Sequence, residues 1–120
     1  MKQQSKKVLN SFKYAFCGIA QSFKTEKNMK IHILIMILVI IAGFVYKIST
    51  MEWIICIILF AIVISAELIN TAIETCVDMI TKEKREDARI AKDVAAGAVL
   101  VTAIAAGIVG VLIFLPKIIT

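Results

Sequence analysis

Residues 94–115 read VAAGAVLVTAIAAGIVGVLIFL, without a single charged side chain. A helix that crosses the hydrocarbon core of a bilayer, about 30 Å thick, needs about 20 consecutive apolar residues. This stretch has that length, and Pro116 follows it directly, where a proline is expected to end a helix. The stretch therefore predicts a membrane-spanning helix at residues 94–115 and makes the chain a membrane protein.

Two further apolar stretches precede this one. Residues 31–46 are short for a bilayer core, so the helix is expected to extend into its lysine-flanked ends. The next span opens at Trp53, an anchor typical of the membrane interface, and its helical pattern continues to residue 80 with polar residues on one face. Residues 47–52 form a short outer turn between them. The chain is thus predicted to be all-α with three spans, near 31–46, 53–80 and 94–115.

The N-terminal segment has a different pattern. At residues 5–24, apolar side chains recur at alternating steps of three and four, and lysines and one glutamine lie between them. This spacing predicts an amphipathic helix on the membrane surface. An ordinary helix that covers the cytoplasmic mouth of a bundle would show the same stripe. The apolar positions are Leu9, Phe12, Phe16, Ile19 and Phe23.

Charge distribution predicts the orientation. The chain has 120 residues, 60% of them hydrophobic, and a net charge of +5. Its basic residues flank the apolar stretches and do not alternate with aromatics on one face, so a nucleic-acid partner is not expected. The charged residues 81–92 show no apolar period and are expected to form a cytoplasmic connection. By the positive-inside rule, the N-terminus is expected to face the cytoplasm and the C-terminus the outside. Residues 1–120 are expected to form one membrane domain.

Four polar side chains follow one face of the second span. At about 100° per residue, they fall within a wedge roughly 80° wide. Counted from Trp53 at about 1.5 Å per residue, the first lies roughly 21 Å deep and the last lies beyond the cytoplasmic boundary. Ionisable groups within a span are expensive and mark functional sites. The four residues are Glu67, Asn70, Glu74 and Asp78.

Their depths suit a reaction between a lipid and a water-soluble phosphate donor. Glu67, deepest of the carboxylates, could accept a proton from a lipid hydroxyl. Glu74, near the interface, could bind Mg²⁺, which takes carboxylate and phosphate oxygens. Asn70 lies one turn from both and could orient either by hydrogen bonding.

Three more charged residues lie at the cytoplasmic level. Lys92 could neutralise charge on a transferring phosphate, and Asp93 lies beside it. Both also fit common structural roles, because Lys92 can be a positive-inside stop charge and Asp93 can favour a helix start through the dipole. Glu26 precedes the first span and could approach the metal, or it could be a solvated surface charge.

Other classes of protein explain only part of the sequence pattern. It has no GxxxxGK[ST] loop and none of the glycine-rich, HRD or DFG elements of soluble kinases, so any phosphoryl transfer uses another architecture. A proton-coupled transporter would explain Glu67 but not a row of polar residues displaced toward the cytoplasm, and it would usually show paired repeats. A helix-packing subunit would explain the small residues at 103, 106, 107 and 110 but not three carboxylates on one face.

The residues of the second and third spans resemble a known family. ELINTAIE at residues 67–74, then Asp78, AKD at residues 91–93 and AGAV at residues 96–99 are similar to the prokaryotic diacylglycerol kinases. The resemblance covers nearly the whole chain. It implies a trimeric three-span enzyme that phosphorylates lipid alcohols with MgATP, in active sites shared between protomers.

Other residues resemble one branch of this family. TEKN at residues 25–28 with His32, the Glu52–Trp53 pair and FLPK at residues 114–117 are similar to the Gram-positive branch, which phosphorylates undecaprenol. Diacylglycerol, with phosphatidic acid as product, is the alternative substrate. Taken by itself, His32 is expected to be an interfacial polar residue and is left out of the catalytic set.

The resemblance also implies a role for each candidate site residue. Glu67 would be the general base, and Glu26 with Glu74 would be the metal ligands. Asn70, Lys92 and Asp93 would complete the site around the phosphates and the lipid hydroxyl.

Overall fold

Four helices account for most of residues 2–120, the part of the chain that this computed structural model describes. Helix α1 spans Lys2–Thr25, α2 spans Lys27–Val45, α3 spans Thr50–Ile80 and α4 spans Glu86–Ile118. No strand occurs within this part of the chain. The predicted all-α class, with three spans and an additional N-terminal helix, is confirmed.

The turn between α2 and α3 is fixed by local chemistry. Ser49 is the N-cap of α3, where its side chain accepts from the Glu52 backbone N–H and the Glu52 carboxylate accepts from the Ser49 N–H. This reciprocal capping box satisfies two donors that a helix start leaves free. Lys47 takes a φ of 51°, which reverses the chain, and Ile48 is buried beneath the turn.

Helix α3 lies at the centre of the fold and contacts each of the other helices, α4 most extensively. Within residues 2–120, no Cα atoms of α2 and α4 approach each other within 8 Å. A small apolar core of Ile48, Cys56 and Ile113 closes the end of the bundle at the α2–α3 turn, with Trp53 and other half-buried side chains around it. The two helices that flank α3 therefore leave an open groove between them.

The surface of the three long helices is apolar. All three are long and hydrophobic enough to cross a bilayer, and few residues in their most hydrophobic stretches are buried inside the chain. Large exposed side chains include Leu38, Phe44, Ile57, Leu112 and Leu115. A soluble protein does not expose so much apolar surface, so the chain is a membrane protein.

Helix α4 extends beyond the predicted third span at both ends, and the expected end of the helix at Pro116 was wrong. Helix α4 begins at Glu86, so the connection shrinks to residues 81–85 and the charged residues that follow form helix. Arg89 pairs with Glu86 and Asp93, at spacings that stabilise a helix. At the other end α4 continues past Pro116 to Ile118, because a proline in the last turn removes only one hydrogen bond.

The first two spans also extend beyond the predicted ranges. Helix α2 starts at Lys27, as its short apolar stretch required, and α3 starts at Thr50. Helix α1 runs through the predicted surface segment and contacts α2 and α3 near its end, where Ser22 is buried. This contact brings Glu26, between α1 and α2, to the same end of the bundle as the C-terminal half of α3.

Candidate active site

Glu67 is the most deeply buried polar side chain of the described chain. Its exposed fraction is 0%, and that of Asn70, almost one turn further along α3, is 5%. Neither carboxylate oxygen of Glu67 has a hydrogen-bond partner, and the amide oxygen of Asn70 has none either. Buried polar groups without partners cost free energy. Such groups are retained where they serve a function, so Glu67 is the centre of the candidate site.

A cavity of about 260 Å³ lies against Glu67 and Asn70. We call it the Glu67 cavity. The polar side chains that line the cavity belong to α2 and α3, and α4 contributes an apolar wall. Its lining consists of Glu67, Asn70, Asn28, Ile31, His32, Ala96, Val99, Leu100 and Ala103. The unpartnered carboxylate thus borders a space where a small polar group could enter.

His32 is the group on another helix that approaches Glu67. Its Nε2 atom lies 3.5 Å from Glu67 Oε2, and 16% of its side chain is exposed. That distance is long for a hydrogen bond. His32 was expected to be an interfacial polar residue, so its place beside the candidate base was missed. The sequence gives no signal for it, because the contact depends on how α2 packs against α3.

Asn70 and Glu74 are joined along α3. Asn70 Nδ2 donates to Glu74 Oε1 at 3.4 Å, at the spacing of one helical turn. The hydroxyl of Thr71 donates instead to the backbone carbonyl of Glu67, at 3.0 Å, and so does not reach the carboxylate. The predicted polar face is therefore present, with Glu67 and Asn70 buried and Glu74 half-buried.

Lys92 and Asp93 lie at the start of α4 but make different contacts. Lys92 Nζ donates to Asp78 Oδ1 at 2.7 Å, which joins α4 to the last polar residue on that face of α3. Asp93 accepts from Arg89 at 3.0 Å and is exposed. The structure thus connects Lys92 directly with α3, whereas Asp93 pairs within its own helix.

Glu26 and Glu74 are the carboxylates considered for a metal ion. Glu26 is half-buried and precedes α2. Its side chain makes no capping hydrogen bond to that helix, so the carboxylate is free of this structural role. Glu74 is half-buried, with one oxygen in contact with Asn70. Carboxylates are the donors that Mg²⁺ accepts. Within residues 2–120, no group of three or more carboxylate, imidazole or thiol side chains is arranged to hold a metal.

An apolar groove of about 280 Å³ extends from His32 toward the end of the bundle at the α2–α3 turn. It lies between α2 and α4, with α3 as its floor. His32 and Ala103 line both this groove and the Glu67 cavity, so the two spaces are adjacent there. Along α4 the groove runs from Ala103 to Ile113, roughly 15 Å at the helical rise. Small residues such as Gly107 leave the space open.

Comparison with known proteins gives consistent matches. The family described as prokaryotic diacylglycerol kinase matches residues 13–114. A protein of Bacillus subtilis (strain 168) named undecaprenol kinase is 44% identical over 111 residues, which cover 92% of this chain and 90% of that protein.

Two relatives carry the name diacylglycerol kinase. The protein from Synechocystis is 38% identical over 119 residues, covering 98% of this chain and 68% of that protein. The protein from Haemophilus influenzae is 32% identical over 109 residues, covering 89% and 92%. Both matches extend over most of this chain, including the region of Glu67.

The matched residues include α2, α3 and almost all of α4, so they contain every helix that forms the Glu67 cavity. Kinases of this kind act on a lipid and take their phosphate from ATP. With three helices able to span a bilayer and a buried carboxylate at their centre, the chain belongs to the prokaryotic diacylglycerol kinase family and is a membrane lipid kinase.

Proposed function

We propose that this enzyme transfers the γ-phosphate of ATP to undecaprenol, with Glu67 as the general base. The observation that supports this most is the buried Glu67 carboxylate, whose two oxygens have no partner and which borders a cavity next to an apolar groove. A lipid alcohol has the matching shape, with a polar hydroxyl at one end and a long hydrocarbon chain.

The reaction follows from this arrangement. The lipid hydroxyl enters the Glu67 cavity and gives its proton to a Glu67 carboxylate oxygen as its oxygen attacks the γ-phosphorus. A new phosphorus–oxygen bond forms to the lipid, and the bond between the γ-phosphorus and the ADP oxygen breaks. ADP leaves with the electron pair of that bond. A base held out of water and beside the hydroxyl raises the rate by proximity and by proton transfer.

The cytoplasmic end of the site would hold the nucleotide. Glu26 and Glu74 are the proposed ligands for Mg²⁺, which when bound neutralises phosphate charge. Asn70 orients Glu74 and presents an amide next to the base. Lys92 binds the phosphates once it leaves Asp78, and Asp93 completes this end of the site.

Undecaprenol is the preferred substrate on two grounds. The groove is lined mainly by apolar side chains and extends well beyond the cavity, which favours a long apolar chain attached to the hydroxyl. The Bacillus subtilis relative, 44% identical, bears the name undecaprenol kinase. Diacylglycerol is the second candidate, because the Synechocystis and Haemophilus relatives bear that name.

The assembly we propose is a homotrimer in the bacterial plasma membrane, with active sites shared between protomers. One chain alone leaves α4 largely uncovered and offers no site with three metal-binding side chains among residues 2–120. A neighbouring copy would cover apolar surface and contribute side chains to the site. The N-terminus and residues 81–85 would face the cytoplasm, where ATP is available, and the C-terminus would face outward.

The test is phosphate transfer by the purified protein in mixed micelles that contain undecaprenol and diacylglycerol with radiolabelled MgATP. We expect label in undecaprenyl phosphate at the higher catalytic efficiency. Higher efficiency with diacylglycerol would overturn the choice of lipid and leave the lipid kinase intact. Label in neither lipid would overturn the proposed reaction.

A further inference from the structure

We infer that His32 is a positioning residue, whose imidazole holds the Glu67 carboxylate in the orientation that accepts the lipid proton. This inference rests on the proposed role of Glu67 as the base. His32 was not expected to take part in the reaction. It lies on α2 with its imidazole beside Glu67 of α3, and this contact is the basis of the inference.

The first step is the shortage of partners around Glu67. A fully buried carboxylate requires hydrogen bonds, yet the nearby donors on its own helix are engaged elsewhere. The Thr71 hydroxyl donates to the Glu67 backbone carbonyl, and the Asn70 amide donates to Glu74. His32 Nε2, 3.5 Å from Glu67 Oε2, is a donor on the neighbouring helix that a small movement would bring into hydrogen-bond distance.

The second step is the chemistry of the imidazole. A neutral histidine with its proton on Nε2 donates through that atom. At 3.5 Å the contact is not yet a hydrogen bond, and hydrogen bonds of catalytic groups often shorten only when the substrate is bound. A bond to Oε2 would hold the plane of the carboxylate and leave Oε1 free to take the proton of the lipid hydroxyl.

The third step is the location of His32. It lines the Glu67 cavity and also the apolar groove, so it lies where a lipid would pass from hydrocarbon to the base. A side chain at this junction contacts Glu67 and borders the path of the hydroxyl. This explains why a polar side chain lies in an apolar stretch of α2 without making a bond within that helix.

Substitutions at His32 separate positioning from packing. His32→Gln keeps a neutral donor, whereas His32→Leu and His32→Met remove it, the latter with a flexible side chain that fills irregular space. Ile33→Met is the control, since Ile33 is half-buried on the same helix and lines neither space. We expect the apolar variants to lose about ten- to a hundredfold in kcat, the effect of one hydrogen bond to a charged group, with KM for MgATP unchanged.

Rescue gives the decisive comparison. His32→Gln should recover most of the lost kcat, and Ile33→Met should resemble the wild type. Equal kcat in all variants, or a loss in His32→Gln as large as in His32→Leu, would overturn the positioning role. Wild-type protein that transfers no phosphate to either lipid would instead overturn the proposed function itself.

A spectroscopic measurement tests the contact without altering His32. It is the chain's one histidine, so protein labelled with ¹⁵N-histidine gives a single imidazole in the NMR spectrum. We expect Glu67→Gln to shift the Nε2 resonance and Asp87→Asn, an exposed acidic residue of α4, to leave it in place. If the chemical shift of Nε2 is the same in Glu67→Gln as in the wild type, the inference is overturned. This test holds even if the His32 variants fail to fold.

Discussion

Lys92 Nζ lies 2.7 Å from Asp78 Oδ1, and this contact joins the first turns of α4 to the last turn of α3. Both side chains are roughly half exposed. Exposed ion pairs contribute little to stability. A phosphate group can therefore replace Asp78 as the partner of Lys92 at small cost, which leads to a test of the proposed nucleotide contact.

The first prediction is that Lys92→Met lowers kcat/KM for MgATP by about 100-fold or more, because it removes a cation from the transferring phosphates. Asp78→Asn breaks the same ion pair but keeps the cation, so its loss should be much smaller. Both variants should melt close to the wild type. Equal losses in the two variants would mean that Lys92 acts through Asp78 and not through ATP.

The second prediction concerns the metal. Glu74→Ala and Glu26→Ala should each raise the Mg²⁺ concentration that gives half-maximal activity, because each deletes a proposed carboxylate ligand. Glu83→Ala, in the exposed connection between α3 and α4, is the control. The measurement is a Mg²⁺ titration at constant ATP. An Mg²⁺ dependence that stays unchanged in either glutamate variant would remove that residue from the metal site.

The sequence predicted the polar face of α3 because helical spacing alone puts residues 67, 70, 74 and 78 on one side. Burial of Glu67 and Asn70 agrees with that prediction. The contact of His32 with Glu67 could not be predicted, since the two residues lie far apart in the sequence and the contact depends on how α2 packs against α3. The early start of α4 had a signal that was missed, namely the helical spacing of Glu86, Arg89 and Asp93.

The third prediction concerns packing beside the α2–α3 turn. A Cβ atom on Gly43 would lie 2.5 Å from Cη2 and 2.7 Å from Cζ2 of Trp53. Because the indole ring is rigid and also contacts Phe44, Gly43→Ala should destabilise the protein by about 1–3 kcal/mol. Thermal unfolding in detergent measures it. Gly18→Ala, where a Cβ meets no atom within 4 Å, is the control and should not lower the melting temperature.

The fourth prediction is the orientation in the membrane. With the native cysteines replaced, a cysteine at position 85 should react with an impermeant thiol reagent only after cells are opened. A cysteine at position 120 should react in intact cells, because the positive-inside rule places the C-terminus outside. Labelling of position 85 in intact cells would invert the topology and separate the site from cellular ATP. The native cysteines are Cys17, Cys56 and Cys76.

The central claim is that the buried Glu67 carboxylate accepts the proton of the lipid alcohol, and Glu67→Gln tests it most directly. The amide keeps the size of the side chain and removes its basicity. We expect transfer of radiolabel from ATP to undecaprenol to fall by at least about 100-fold, the effect of losing a general base. Asp87→Asn should transfer at the wild-type rate. A folded Glu67→Gln protein with near-normal turnover would contradict the account.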